Sequence, residues 1–497
     1  MIFEVRSFEK MRNKKNVSSL SAHVLQKKKG IIATPFNNHL KDMMKLSSWT
    51  KERMPEYLWL GLILQNYGRR DGIEKSCQIL HEISKTIKSL SLPRISMILN
   101  LTDKEQRKVY DIICKVVDRR VMSPLTILYK NKSYPIFNEY FHIPQLTVEY
   151  RMYILEKAIK IYAPVQSFET TDLRFIVVSF MIFSKRLHSP IDIGNVFQEY
   201  SYLDHDDDKM KLYRPTIRCM EAQGLIEDNI QFYTKFWRDI GMITTCNPFV
   251  IKFDENVENY DDFICECRKV LKYVLVTNKE KSLAEDRFDV IIGSITYALK
   301  IFTEIHNNSL GNSILGRHGI RTIIEILIIL KYLLKREAEN PRIWEEYKLY
   351  GIGKYKLVLL KARECESDLR KETHFIPPIA DAIVNEIIFE EFTDVDLKYF
   401  DKHGIREKSQ DVGEKKLYDL FYDYDSSFVH GLWGAIRESA MLSCDNAAHL
   451  YHSIPDIYSN QSLSDVKSDS VLVLKKLFLL MAETYEIPDD YLTNISD

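Results

Sequence analysis

Apolar residues recur at helical spacing along most of the chain. Segments with apolar residues three and four positions apart follow one another between Ile73 and Thr244, and this spacing is typical of helices that are packed by one face. The segment Met54–Leu60 adds a proline in a first helical turn followed by dense apolar residues, which favours a helix start. The N-terminal part is therefore predicted to be a multi-helical array.

The same spacing continues towards the C-terminus. It predicts helices at residues 287–305, 313–334, 341–365, 378–392, 413–440 and 465–485. Strand signals are few, and the strongest is Phe249–Phe253. We therefore expect an all-α fold, with an N-terminal multi-helical array followed by a C-terminal up-down helical bundle.

Changes in charge and patterning divide the chain into three predicted parts. Residues 1–47 are rich in lysine and arginine and weakly periodic, which predicts a basic, partly flexible N-terminal arm. An N-terminal helical domain is expected at residues 48–255 and a C-terminal helical bundle domain at residues 256–497. The length of 497 residues agrees with this division, because a single core stops growing at about 250–300 residues.

Composition limits the class of protein. With 69 basic and 70 acidic residues, no overall charge favours nucleic acid or a membrane. The 8 cysteines are scattered without the spacing typical of structural zinc, so we expect reduced thiols, no metal and no cofactor. No secretion signal and no apolar run of about 20 residues is found, which predicts a cytoplasmic protein.

The helix at residues 313–334 carries the first candidate site. Arg321 and Glu325 lie one turn apart on it, while apolar residues occupy almost every other direction. A helix that is apolar all round is a buried one, so these charges are expected to pair with each other or with a third group. Two interpretations stay open: an ion pair that fixes the bundle, or a polar pocket that binds or polarises a substrate.

The second candidate site is a stripe on the predicted helix 413–440 formed by Tyr422, Ser426, His430, Trp433 and Arg437. A catalytic His430 would act as general acid or base, because histidine titrates near neutrality. Arg321 or Arg437 would stabilise charge on a phosphate. Ser426 or Tyr422 would orient the imidazole or the substrate. The alternative is a solvent-facing stripe or a second packing face.

Three stretches together resemble a bacterial domain family of unknown function, number 5677. They are Gly316–Glu325, Trp344–Tyr347 and Tyr418–Gly431, and the resemblance covers about residues 280–455. The helical layout of that family is similar to the HEPN superfamily of small helical bundles, many of which are RNases in defence and toxin systems. The resemblance implies a defence- or toxin-type protein whose C-terminal domain cleaves or binds RNA.

One departure weakens the RNase interpretation. The HEPN signature is an arginine followed by four to six residues and a histidine, and no arginine stands at that spacing before His430. The pair Arg370 and His374 is too closely spaced. Whether the chain is an enzyme stays open; if it is, we expect a metal-independent ribonuclease.

The rival hypotheses predict different partners. The first expects RNA, together with a second copy of the chain or a defence-system protein. The alternative is a non-catalytic helical interaction or sensor module, and a third is a small-molecule or nucleotide binder that uses a pocket in the bundle. None of the three expects a membrane.

Overall fold

The structure is a computed structural model that describes most of the chain. The described residues are 20–26, 30–34, 47–187, 194–223, 229–254, 256–364, 374–386 and 400–496. Helices dominate them and strands form two small sheets, which confirms the predicted all-α class. The predicted basic arm lies largely outside the described residues. No described helix is long and apolar enough to cross a membrane.

The described chain divides into two compact units. The first combines residues up to 249 with residues 443–454, and the second combines residues 250–442 with residues 455–497. Each unit has a large hydrophobic core of its own. Each therefore has the internal core that defines a structural domain.

The first unit contains ten helices among the described residues. They are α1 (Met54–Tyr67), α2 (Arg69–Thr86), α3 (Ile95–Leu99), α4 (Asp103–Val116), α5 (Pro135–Phe141), α6 (Val148–Tyr162), α7 (Phe168–Phe183), α8 (Gly194–Glu199), α9 (Met210–Gln223) and α10 (Ile230–Ile243). Short 3-10 turns lie at Leu20–Ala22, Arg119–Val121 and Ser123–Ile127, and a π-helical turn, Trp49–Arg53, precedes α1. Strands β1 (Val24–Gln26) and β2 (Ile31–Ala33) form an antiparallel hairpin.

Helix α1 is the centre of the first unit. Its residues from Met54 to Leu64 are all buried, and it packs against α2, α6 and α7. The one acidic residue in this stretch, Glu56, accepts hydrogen bonds from the backbone N–H and hydroxyl of Ser96 at 3.0 and 2.7 Å. The continuous apolar sequence thus forms a helix that is buried on all sides.

The second unit is a helical bundle. Its helices are α11 (Asp261–Thr277), α12 (Asp286–Asn307), α13 (Ile314–Arg336), α14 (Ile343–Glu364), α15 (Pro377–Val384), α16 (Ile405–Asp411), α17 (Lys415–Leu417), α18 (Asp423–Val429), α19 (Trp433–Ser439), α20 (Lys467–Thr484) and α21 (Asp489–Ser496). A 3-10 turn lies at Lys281–Leu283 and a π-helical turn at Tyr418–Tyr422. A second small sheet has β4 in the middle and consists of β3 (Pro248–Phe249), β4 (Met441–Cys444) and β5 (Ser453–Pro455). The residues that pair β3 with β4, Pro248–Phe249 and Ser443–Cys444, belong to the first unit.

Helix α13 is the central helix of the bundle, as its sequence predicts. It packs against α12, α16, α18 and α20, and most of its residues from Ile320 to Leu333 are buried. The helix begins at a cap in which the Ser313 hydroxyl accepts from the backbone N–H of Gly316 at 3.1 Å, satisfying one of the free donors of the first turn.

The predicted helix 413–440 is wrong as a continuous element. The chain forms α17, a π-helical turn and α18, and then reverses at Gly431, whose φ is +57°. The N–H of Leu432 donates to Ser427 O at 2.9 Å and that of Gly431 to Phe428 O at 3.2 Å. This pair of bonds is the Schellman motif that ends helices at a left-handed glycine.

Two consequences follow for the sequence predictions. The stripe Tyr422, Ser426, His430, Trp433 and Arg437 does not exist, because Trp433 and Arg437 lie on a separate helix, α19. The predicted strand Phe249–Phe253 is also too long, since regular pairing stops at Phe249.

Candidate functional site

A compact hydrogen-bonded network lies where α13 meets α18 in the second unit. The guanidinium of Arg321 donates to the Tyr422 hydroxyl at 2.6 Å and to the Ser426 hydroxyl at 3.1 Å. It also pairs with Glu325 Oε2 at 3.0 Å, and the Tyr422 hydroxyl donates to the same oxygen at 3.1 Å. We call these four residues the Arg321 network.

Helical spacing explains how the four side chains of the Arg321 network come into contact. Arg321 and Glu325 lie one turn apart on α13. Tyr422 and Ser426 lie one turn apart on the segment packed against it, formed by the π-helical turn and α18, so the two pairs face each other. The Ser426 hydroxyl donates to Tyr422 O at 2.6 Å, which leaves its oxygen to accept from Arg321. The predicted pairing of Arg321 with Glu325 is confirmed, and two further groups complete it.

The network lies at the edge of the core and is only partly buried. The side chains of Arg321 and Glu325 are 19% and 27% exposed, so the fully buried pair expected from the sequence is wrong in this respect. Tyr422 is buried, and burial, with the nearby Glu325 carboxylate as the next cause, raises the pKa of its phenol. Tyr422 therefore stays a neutral hydrogen-bond donor.

A cleft of 590 Å³ opens beside the network. We call it the tyrosine cleft, because Tyr347, Tyr350 and Tyr355 of α14 line it. Apolar side chains of α13, including Ile326, form part of its wall, and Glu325 joins the wall to the Arg321 network. The cleft thus has aromatic and apolar surfaces and a carboxylate whose position the network fixes.

The charge of the cleft is close to balanced. Lys348 lines it, but its ammonium donates to Asp286 at 2.7 Å and to Asp289 at 3.0 Å. Glu386 adds a second carboxylate to the lining. Burial, with Glu325 as the next cause, raises the pKa of Tyr347. The cleft therefore offers acceptors and aromatic rings, and no uncompensated cation for a phosphate.

His430 and Arg437 do not belong to the Arg321 network. His430 is the residue that ends α18; it is exposed, and its imidazole makes no hydrogen bond or ion pair among the described residues. Arg437 donates to the backbone oxygen of Met441 at 2.8 Å. The structure thus joins Arg321, Glu325, Tyr422 and Ser426 by direct contacts, and it does not join the other two candidates to them.

A second buried charge lies one turn from the network. Arg317 is 3.6 Å from Asp425, which is 1% exposed, and donates to the backbone and hydroxyl oxygens of Ser464. Burial raises the pKa of Asp425 to about 7, against the opposing effect of Arg317 and with Asp469 adding to the rise. The burial of Asp425 was not predicted from the sequence, because Asp425 stands in a run of mostly polar residues, 423–427, which is typical of a solvent-facing segment.

A third cluster, in the first unit, was missed by the sequence analysis. The side chains of Cys246, Cys444, His449 and His452 bring one sulfur or nitrogen atom each to within 4.8 Å of one another. Three of them are close in sequence, at residues 444, 449 and 452, and this spacing was the only available signal. Cys246 is too distant along the chain for spacing to include it.

The fold and the network define an all-α protein whose second unit is a helical bundle with a polar network on its central helix. Residues 288–449 match the model of a family of unknown function (DUF5677). The predicted resemblance of the C-terminal part to that family is confirmed. The matched range contains the whole Arg321 network and the tyrosine cleft. No curated protein and no solved structure matches the chain.

Proposed function

We propose that the second unit binds a nucleobase in the tyrosine cleft, with Glu325 as the recognising carboxylate. The observation that carries the proposal is the double position of Glu325, which is both a member of the Arg321 network and part of the cleft wall. Both network contacts are made by Oε2. In this proposal Oε1 is the atom that accepts a hydrogen bond from the ligand.

The lining of the cleft supports a flat ligand with N–H donors. Tyr347, Tyr350 and Tyr355 supply aromatic surface, and such surface stacks on bases of any sequence. A carboxylate accepts from the amino and imino groups of a base edge. The shared chemistry is a nucleobase, which a free nucleotide or an unpaired RNA residue supplies equally well.

The RNA form of this proposal connects it to the resemblance with defence and toxin proteins. Unpaired bases are the part of RNA that proteins read in pockets. A domain that binds such a base without cleaving the RNA would act as a sensor. The resemblance to HEPN bundles, many of which act on RNA, agrees with this form of the proposal.

Metal-independent RNA cleavage is the second candidate function. The exposed imidazole of His430, one helical turn beyond Ser426, favours it. His430 would remove the proton of a 2′-OH, whose oxygen attacks the adjacent phosphorus while the 5′-oxygen leaves and takes up a proton. The Arg321 guanidinium is already paired with Glu325. The geometry therefore supports binding better than cleavage.

Calorimetric titration of the full chain tests the binding proposal. Mononucleotides and short unpaired oligoribonucleotides are the two ligand series, and binding of only the second assigns the base to RNA. We expect Glu325→Gln and Tyr355→Ala each to weaken binding at least about tenfold, since a tenfold change corresponds to one lost hydrogen bond or stacking contact. Tyr297→Ala, at an exposed position outside the cleft, should leave binding unchanged. Failure of both ligand series to bind contradicts the proposal.

Incubation with labelled RNA separates cleavage from binding. Under the binding proposal, wild type and His430→Ala leave the RNA intact and bind it equally. RNA degradation by wild type that His430→Ala abolishes, with folding retained by circular dichroism, would establish the second candidate instead.

A further inference from the structure

We propose that Cys246, Cys444, His449 and His452 form a zinc site in the first unit. Their four donor atoms all lie within 4.8 Å of one another, and all four residues belong to that unit. Two thiolates and two imidazoles are a donor set that selects zinc. This site is separate from the tyrosine cleft and independent of the function proposed above.

The distances between the donor atoms are those of a tetrahedral ion. Cys246 Sγ lies 3.2 Å from His449 Nδ1 and 3.3 Å from His452 Nδ1, and the two Nδ1 atoms are 3.3 Å apart. Zinc bonds of about 2.3 Å to sulfur and about 2.0 Å to nitrogen at tetrahedral angles separate sulfur from nitrogen by about 3.6 Å and the two nitrogens by about 3.3 Å. Three of the donor atoms thus lie at coordination spacing, and the fourth, from Cys444, lies within 4.8 Å of each of them.

The hydrogen bonds around His449 give its ring the tautomer that a metal needs. Its Nε2 lies 2.9 Å from the Thr244 hydroxyl oxygen. That hydroxyl donates its own proton to Ile240 O at 2.8 Å, so it accepts from Nε2–H. The Nδ1 lone pair of His449 is then free of a proton and faces Cys246 and His452. An outer hydrogen bond that fixes the ring in this way is usual for metal-binding histidines.

The backbone holds the two cysteines in place. Cys444 is paired with Pro248 across β3 and β4, two residues beyond Cys246. The N–H of Asn247 lies 3.4 Å from Cys444 Sγ, a contact that favours a thiolate. The N–H of Asp445 donates to Asn247 O at 2.8 Å. Cys444 therefore lies on a paired strand, and Cys246 lies two residues before the start of the partner strand.

The two histidines follow on a tightly turned segment. The N–H of His452 donates to His449 O at 2.9 Å, and Tyr451 between them has φ of +50°. Asn446 anchors the start of this segment by donating to Thr245 O at 2.9 Å and to Glu156 at 3.0 Å. The turn brings both Nδ1 atoms to the same side as the sulfurs.

Four protein donors indicate a structural role. A tetrahedral zinc with four side-chain ligands has no open position for substrate, as in zinc sites that stabilise folds. Residues 443–454 join the first unit from a distant part of the sequence, and Ala448 among them is fully buried in its core. The ion would fasten this segment to the end of α10 and β3.

Metal analysis of the full chain, purified under reducing conditions, tests the site. We expect inductively coupled plasma mass spectrometry to find one zinc ion per chain. After removal of zinc by a chelator, added Co²⁺ should give the visible absorption of a tetrahedral ion and the ultraviolet bands of cobalt–thiolate bonds. His452→Ala removes an exposed ligand and should lower zinc affinity at least about a hundredfold while the chain stays folded.

Substitutions of a cysteine and a histidine outside the cluster serve as controls for the zinc site. Cys265→Ala and His142→Ala replace exposed residues outside the cluster and should retain one zinc. Cys444→Ala should remove the cobalt–thiolate bands in part. The proposal is overturned if wild type takes up neither ion, if uptake survives in His452→Ala and Cys444→Ala alike, or if Cys246 and Cys444 form a disulfide that persists in reductant.

Discussion

Arg321 and Asp425 both have ionisable side chains, but the hydrogen-bond partners of the two side chains differ. Arg321 has a carboxylate, a phenol and a serine hydroxyl as partners. Asp425 is almost fully buried, its two oxygens accept no hydrogen bond, and Arg317 is 3.6 Å away. A satisfied network stabilises its surroundings, whereas a buried carboxylate without hydrogen bonds favours its protonated form.

The Tyr422 hydroxyl is the part of the network that can be removed most cleanly. Tyr422→Phe leaves Glu325 and Arg321 without a shared partner, so we expect the free energy of unfolding to fall by about 1–3 kcal/mol. Denaturant unfolding measures the change. Tyr297→Phe, at an exposed position, should change it by less than about 0.5 kcal/mol; equal effects of the two variants would show that the network contributes nothing.

Asp425 should make stability depend on pH. Its pKa of about 7 in the folded chain lies above the ordinary value of 3.8, so the folded state binds the proton more tightly. The resulting stabilisation is complete below about pH 4 and is lost as the pH rises through 7. Asp425→Asn, which stays neutral, should therefore gain stability relative to wild type, on the order of a few kcal/mol between pH 4 and pH 8.

The charged groups that face Asp425 come from three other elements. Arg317 of α13 opposes the rise in its pKa, while Asp469 of α20 and Glu438 of α19 add to it. Thermal midpoints of wild type, Asp425→Asn and the exposed control Asp206→Asn, measured from pH 4 to pH 8, check the prediction. A difference between wild type and Asp425→Asn that stays constant over this range would contradict it.

For single residues, the sequence predicted which side chains form a pair better than it predicted how deeply each side chain is buried. The spacing of Arg321 and Glu325 on an apolar helix was enough to predict their pairing, because helix geometry alone brings them together. Burial of Asp425 depends on how α13, α18 and α20 pack. The exposure of Arg321 and Glu325 depends on the cleft beside α14. Neither the packing around Asp425 nor this cleft can be predicted from the spacing of residues along one helix.

At the scale of elements, the turn at Gly431 decides which residues share a face. Long apolar helices such as α13 were predicted because their pattern is continuous over many turns. The break after His430 was missed because one glycine inside a helical pattern is tolerated in many helices. The π-helical turn Tyr418–Tyr422 likewise leaves no mark on the hydrophobic pattern, although its last residue, Tyr422, contacts Arg321.

The left-handed conformation of Gly431 makes it the most sensitive position of this turn. Its φ is +57°, where a side chain costs about 1–2 kcal/mol. Gly431→Ala should therefore lower stability by about that amount, measured by denaturant unfolding. Gly293→Ala in α12, where an added methyl meets no atom within 4 Å, should instead raise stability by up to about 1 kcal/mol. Stabilisation by both changes would exclude a conformational role for Gly431.

At the scale of the whole molecule, the order of the chain does not follow the division into units. Residues 443–454 belong to the first unit although residues on both sides of them belong to the second. Sequence patterning finds boundaries where composition changes, and this segment changes neither charge nor periodicity. The proposed zinc site was missed for the same reason, since Cys246 and Cys444 become neighbours only through this return of the chain.

Removal of zinc should therefore have a local effect. Hydrogen exchange followed by mass spectrometry is expected to rise in peptides covering residues 240–249 and 443–454 when a chelator removes the ion, because their ordering is coupled to binding. Peptides from the core of α12 should exchange as before. Unchanged exchange in the first two regions would argue against a structural ion.

We propose that Glu325, held by Arg321 and Tyr422, recognises a nucleobase in the tyrosine cleft. Photo-crosslinking with a base-modified nucleotide or oligoribonucleotide, followed by peptide mapping, tests it most directly. We expect crosslinks on α14 at Tyr347, Tyr350 or Tyr355 that are lost in Glu325→Gln. Crosslinks that map to the exposed turn at His430 instead, or that persist in Glu325→Gln, would contradict it.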